Sequence, residues 1–179
     1  MRSHARRLVV LLAAALAGLA FPGAATGSGT QGQVAVFEGD LVDLSVSWGG
    51  ATACVVSDDG IAECFDSEDE MEERIDELDA AEGFLESGSV CSTPVRLYDG
   101  TNYTGAVLAL RGRATWVNLT GHGFSNRTSS FRMGTCSGYF ADLTNGGGSW
   151  YSESSTTAGK SVLSMASGWD NRISSVYLR

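Results

Sequence analysis

The sequence predicts an all-β domain made of two repeated four-stranded units packed as a sandwich, preceded by a small α+β subdomain. Three observations carry this reading. A pattern recurs after 45 residues in the C-terminal half, so that Cys91-Ser92 matches Cys136-Ser137 and Asn126-Arg127-Thr128-Ser129-Ser130 matches Asn171-Arg172-Ile173-Ser174-Ser175. Short apolar runs are separated by turns drawn from the 23 glycines and their Asn and Asp neighbours. Helical periodicity is confined to one acidic stretch upstream of the repeat.

Residues 1–25 read as an export signal. Arg2, Arg6 and Arg7 precede an apolar run over 8–20, and Gly23, Ala24 and Ala25 are small enough for a signal peptidase. Cleavage after Ala25 is expected, with Ala20 and a point near Gly29 as the alternatives. The run is about 13 residues, short of the roughly 20 needed to cross a bilayer, so a secreted, extracellular protein with no membrane segment after signal removal is expected.

Residues 26–90 form the expected acidic subdomain of strand, hairpin and helix. They hold seventeen acidic residues and one basic residue, Arg74, whereas 91–179 hold four acidic and eight basic residues. This asymmetry suits either an acidic segment docked on a mildly basic domain or a solvated acidic helix. Alternation over 34–44 predicts strands, and Asp59-Gly60 predicts the turn of a hairpin flanked by Cys54 and Cys64. Ser67 and Glu70 match a capping box, and Met71, Ile75, Leu78 and Phe84/Leu85 recur at helical spacing, predicting a helix over 68–86. The same segment could instead be a propeptide that masks the C-terminal half.

In the first repeated unit, strands are expected at 95–98, 106–110, 113–117 and 129–133; in the second, at 139–143, 149–152, 160–165 and 173–178. Four cysteines in an exported chain, spaced without the CxxC signature of zinc, predict two disulfides. Cys64 pairs either with Cys54 across the hairpin or with Cys91. A Cys91–Cys136 bridge would join equivalent points of the two units.

Tyr98, Tyr103 and Gly105 resemble the folded-hairpin signature of a beta/gamma-crystallin Greek key, and Asp170-Asn171-Arg172-Ile173-Ser174-Ser175 resembles that family's calcium loop. The resemblance covers 91–179 and extends to secreted actinobacterial proteins grouped with the I36-type peptidase inhibitors. It implies a Greek-key sandwich and Ca2+ as a cofactor, each site joining one unit's Ser loop to the other unit's hairpin. The stronger implied site combines Asp170 or Asn171, the Arg172 carbonyl and the Ser174 hydroxyl with the hairpin near Tyr98. The weaker one has Asn126, the Arg127 carbonyl and Ser129, with Ser125 where a carboxylate is wanted. The second hairpin departs from the pattern, because Gly148 and Trp150 align with Tyr103 and Gly105. Asx and Ser residues also close turns without an ion.

Other chemistries lack material. His122 is the one histidine after the signal, and no HExxH, GxSxG or phosphate loop is present, so no enzyme is expected. The net charge of -9 disfavours nucleic acid as a partner. The partner implied by resemblance is a secreted peptidase, met by the connection over 118–124. Trp48, Trp116, Trp150 and Trp169 are expected in the core or half-buried, and Asp142 and Glu153 at the surface.

Overall fold

Runs too short and too glycine-punctuated for helices pair instead as strands, and the computed structural model describes them over residues 32–82 and 90–179. The signal and Phe84/Leu85 lie outside the described residues. The elements are β1 (Val34–Phe37), β2 (Asp40–Asp43), β3 (Ala53–Val56), β4 (Ala62–Phe65), α1 (Glu68–Glu82), β5 (Val90–Tyr98), β6 (Val107–Gly112), β7 (Trp116–Asn118), β8 (Ser130–Arg132), β9 (Gly138–Ala141), β10 (Ser161–Val162) and β11 (Ser175–Leu178). The expected strand at 149–152 reduces to one bridge between Ala141 and Trp150.

Two sheets result, ordered β10-β8-β5-β6-β3-β4-β1-β2 and β7-β11-β9. In the first unit β5 and β6 form a hairpin, β7 leaves for the other sheet, and β8 returns beside β5, a Greek-key path. The second unit mirrors it. There β11 returns beside β9, while β10 crosses to pair with β8. Each unit thus lends its third strand to its partner's sheet, and their inner faces share one core that includes Leu97, Leu108, Phe131, Phe140, Ile173 and Val176.

The acidic segment is built into this architecture. β3 pairs in parallel with β6, so residues 53–56 extend the first unit's sheet, and β4, β1 and β2 follow. Capping by Ser67, whose Oγ accepts from the Glu70 N–H at 3.3 Å, starts α1, and its Met71 and Ile75 are buried against Ala53, Val55, Val107 and Ala109. The acidic face is fastened as well: Glu72 to Arg96, Asp79 to Arg111, and Glu68 Oε1 accepting from the Tyr98 hydroxyl at 2.6 Å. Burial first, and the Glu68 hydrogen bond second, hold the Tyr98 phenol well above its ordinary value. The charge asymmetry therefore serves docking.

Cys54 bonds Cys64 across the β3–β4 hairpin, and Cys91 bonds Cys136 between the starts of the two units. The alternative Cys64–Cys91 pairing is thereby corrected: Cys54 and Cys64 are register partners with Cα atoms 4.1 Å apart. Trp48 is buried, and Trp116 and Trp169 are half-buried. The expectation of burial fails for Trp150, which is 47% exposed because it sits beyond β9 at the edge of the smaller sheet.

Candidate functional site

Each repeated unit folds its first hairpin around an aspartate. Asp99 Oδ1 accepts from the Ala106 N–H at 2.7 Å, and Asp142 Oδ1 accepts from the Ser149 N–H at 2.7 Å. Asn102 and Asn145 take left-handed backbone at φ 57° and 53°, and Gly105 and Gly148 do so at φ 80° and 76°, where a Cβ would strike the aspartate. These equivalences correct the alignment of Gly148 and Trp150 with Tyr103 and Gly105. The second unit is shorter by two residues before the hairpin, so Gly148 matches Gly105 and Gly146 matches Tyr103. The aromatic position is taken instead by Trp116 from the other unit, whose ring lies where a Gly146 side chain would go.

An arginine then clamps each hairpin to its loop. The Arg127 guanidinium donates to Asp99 Oδ2 at 2.6 Å and to the Gly123 carbonyl at 2.9 Å, and it lies 5.0 Å from the Phe124 ring centre. Arg172 repeats this with Asp142 Oδ2 at 2.6 Å, the Gly168 carbonyl at 3.3 Å and Trp169 at 5.0 Å. The Ser149 N–H, then Arg172, hold the half-buried Asp142 carboxyl below the usual carboxylate value. Both arginine side chains are thus committed to the hairpins.

The loops themselves meet across the pseudo-twofold axis. The Asn126 N–H donates to the Ile173 carbonyl at 2.8 Å, and the Asn171 N–H to the Thr128 carbonyl at 3.0 Å. Ser129 Oγ donates to Asp170 Oδ1 at 2.6 Å and approaches Asn171 Oδ1 at 3.4 Å. Ser174 Oγ donates to Asn126 Oδ1 and accepts from Ser125 Oγ, both at 3.1 Å. The sequence grouping is corrected here: Ser129 belongs with Asp170 and Asn171, and Ser174 belongs with Asn126. The serines are exchanged because each follows the hairpin of its own unit, Ser129 N–H bonding the Tyr98 carbonyl and Ser174 N–H bonding the Ala141 carbonyl.

The result is two oxygen clusters, one with a single carboxylate and one with none. Among the described residues no three His, Cys, Asp or Glu side chains converge, so any cation here would be held by hydroxyl, amide and carbonyl oxygens around Asp170. Such a donor set fits a hard cation and excludes a soft one.

The connection over 118–124 does not project as a presenting loop. Leu119, His122 and Phe124 are buried, the Trp48 indole donates to the His122 carbonyl at 2.8 Å, and the Gln33 N–H bonds the Gly121 carbonyl at 2.8 Å. The N-terminal segment lies over it. Sequence reasoning also passed over the aromatic cluster of Trp116, Tyr139, Trp150 and Tyr177, whose ring centres lie 4.9 to 6.2 Å apart. The alternate placing of Tyr139 and Tyr177 along β9 and β11 was the available signal.

No family model and no curated protein matches the chain. Solved structures similar to it include a beta gamma crystallin from Ciona intestinalis, at 22% identity and a TM-score of 0.41 over 48% of this chain and 99% of that one. A betagamma-crystallin domain from Clostridium beijerinckii aligns at 16% identity and a TM-score of 0.40, over 48% and 95% of the two chains. One from Flavobacterium johnsoniae aligns at 18% identity and 0.37, over 48% and 92%.

Proposed function

We propose that the chain is a secreted, non-enzymatic beta/gamma-crystallin-like module, locked by two disulfides and stabilised by calcium at its paired loops. The observation that carries this reading is the reciprocal meeting of the loops. Ser129 with Asp170 and Asn171, and Ser174 with Asn126, set oxygens from both units side by side. A cation held there would tie the units together and would supply charge neutralisation and cross-linking rather than chemistry. Asp170, Asn171 and Ser129 are the stronger set because they include the only carboxylate, with the Arg172 and Arg127 carbonyls as further candidate donors. The peptidase-directed alternative keeps the rigid scaffold as its support but loses the connection over 118–124 as its contact.

Calcium titration of the metal-free mature protein by isothermal calorimetry tests this. Saturable binding that also raises the unfolding temperature is expected. A folded sample that binds no calcium would make the loops purely structural.

A further inference from the structure

The eight-stranded sheet ends at β2, and α1 covers its outer face only over β3 and β6. Beyond the helix the face is open. Val36 and Leu41 are register partners there, 42% and 76% exposed, and Val34 lies exposed on the same face. Elsewhere on that face the equivalent apolar positions, such as Val55 and Ala109, are buried under Met71 and Ile75.

The edge also offers main chain. Glu38 and Gly39 make the two-residue turn of the β1–β2 hairpin at φ 51° and 88°, so Phe37 and Asp40 are its hydrogen-bonded closing pair. Alternation turns the main-chain groups of Asp40 and Val42 toward β1, and the Leu44 N–H continues the pattern to the Gln33 carbonyl at 2.9 Å. The N–H and carbonyl of Leu41 and the N–H of Asp43 therefore point away from the sheet. The Asp43 carbonyl is taken by the Val46 and Ser47 N–H groups, both at 3.0 Å. A row of outward main-chain groups on an end strand is a template for one more strand.

Charge sets what can be added. Leu41 and Asp43 share the outer face with Val36 and Val34, while Val42 and Asp40 share the inner face with Ala35 and Phe37. Each face of the edge thus pairs one apolar side chain with one carboxylate. Asp43 accepts from the Ser45 N–H and hydroxyl, and among the described residues none of Glu38, Asp40 and Asp43 is ion-paired. The acids of α1, by contrast, already hold Arg96 and Arg111. Two copies of the chain paired through Leu41 would set Asp40 or Asp43 of each diagonally against its equivalent, so the edge repels itself. A basic strand meets no such penalty.

We infer that β2 accepts an extended peptide segment of another protein, two apolar residues between two basic ones, as a ninth strand of this sheet. Its main chain bonds Leu41 and Asp43, its apolar side chains lie beside Leu41 and Val42, and its basic ones face Asp40 and Asp43.

Amide NMR of the disulfide-intact mature chain in EDTA, titrated with the peptide Ac-Thr-Lys-Val-Val-Lys-Thr-NH2 to about 5 mM, tests this. Saturable shifts centred on the amides of 40–43 are expected. Three altered peptides carry serine for both valines, glutamate for both lysines, or N-methyl groups on both valines. Each should bind at least about tenfold more weakly, since they remove the apolar contact, the charge match and the main-chain bonds in turn. Asp40→Lys should weaken the parent peptide about tenfold, whereas Glu73→Lys, an equal change of charge on the exposed side of α1, should leave it unchanged. Absence of saturable shifts at 40–43 overturns the proposal. Undiminished binding of the serine or N-methylated peptide, or an equal loss in Glu73→Lys, overturns it in favour of general attraction to an acidic protein. Shifts at 40–43 that grow with protein concentration before any peptide is added overturn it in favour of self-pairing. The peptide comparisons use the unaltered chain, so they decide the matter should Asp40→Lys not fold, and EDTA keeps the outcome independent of calcium.

Discussion

Acidification should weaken this fold through His122. The imidazole ordinarily titrates at 6.5 and is held at about 4 in the folded chain, because protonation would place a charge in a buried site. The unfolded chain therefore binds more protons between those values, and stability rises with pH across the window. The contribution is complete above 6.5 and drains away as the pH falls toward 4. At about 1.36 kcal/mol for each pKa unit the full gap is worth about 3 kcal/mol, of which about 2 kcal/mol is lost between pH 7 and pH 4.5. Urea unfolding followed by tryptophan fluorescence at those two pH values, on wild type and His122→Phe, isolates this contribution. The phenylalanine variant cannot titrate, so its advantage over wild type should grow by about 2 kcal/mol on acidification. The comparison also cancels the relief of acidic repulsion, which both proteins share. Two proteins whose stabilities fall in parallel, within about 0.5 kcal/mol, would refute the argument that His122 is buried in its neutral form.

Asp170→Ala should weaken calcium binding more than Asn126→Ala, since only the first removes a carboxylate; equal affinities by calorimetry would show the ranking to be wrong. Replacing Cys91 and Cys136 by serine should cost about 4 kcal/mol in chemical denaturation, and replacing Cys54 and Cys64 about 3 kcal/mol, because the first bridge closes the longer loop. Gly146→Ala should cost at least about 1 kcal/mol, since the new methyl enters the Trp116 ring at a φ of 74°; an unchanged unfolding temperature would contradict the packing. Residues 91–179 expressed without the acidic segment should fail to give a sharp thermal transition, because β6 loses β3 and the face under α1 is laid open.

Local features were the most legible in the sequence. The capping box at Ser67 and Glu70 and the Met71/Ile75 spacing located the start and buried side of α1, and Asp59-Gly60 located the hairpin. The repeat pointed to the all-β, Greek-key character of the C-terminal half, but its gap-free match was anchored on Cys136 and Asn171, where the offset is constant. It therefore missed the two-residue contraction that makes Gly148 the counterpart of Gly105. Replacement of the hairpin aromatic by Gly146 removed the one residue that could have exposed this, and Trp116, which fills the space, lies thirty residues away in another unit. Which serine meets which Asx pair was not legible, because that depends on how the units dock. The parallel β3–β6 pairing was equally hidden, since no turn or spacing announces a partnership across fifty residues.

The exchange of third strands has a kinetic consequence. β7 and β9 share no partner until β11 is in place between them, and β11 is the last strand in chain order. The smaller sheet cannot begin to assemble before residues 175–178 are available, and the first unit cannot finish without β10 from the second. Neither unit has a route to a closed core by itself, so they should form in a single cooperative step dominated by distant pairings, which places the protein among the slower folders of its size. A nick or deletion within 175–178 would accordingly undo both units together rather than fray one end.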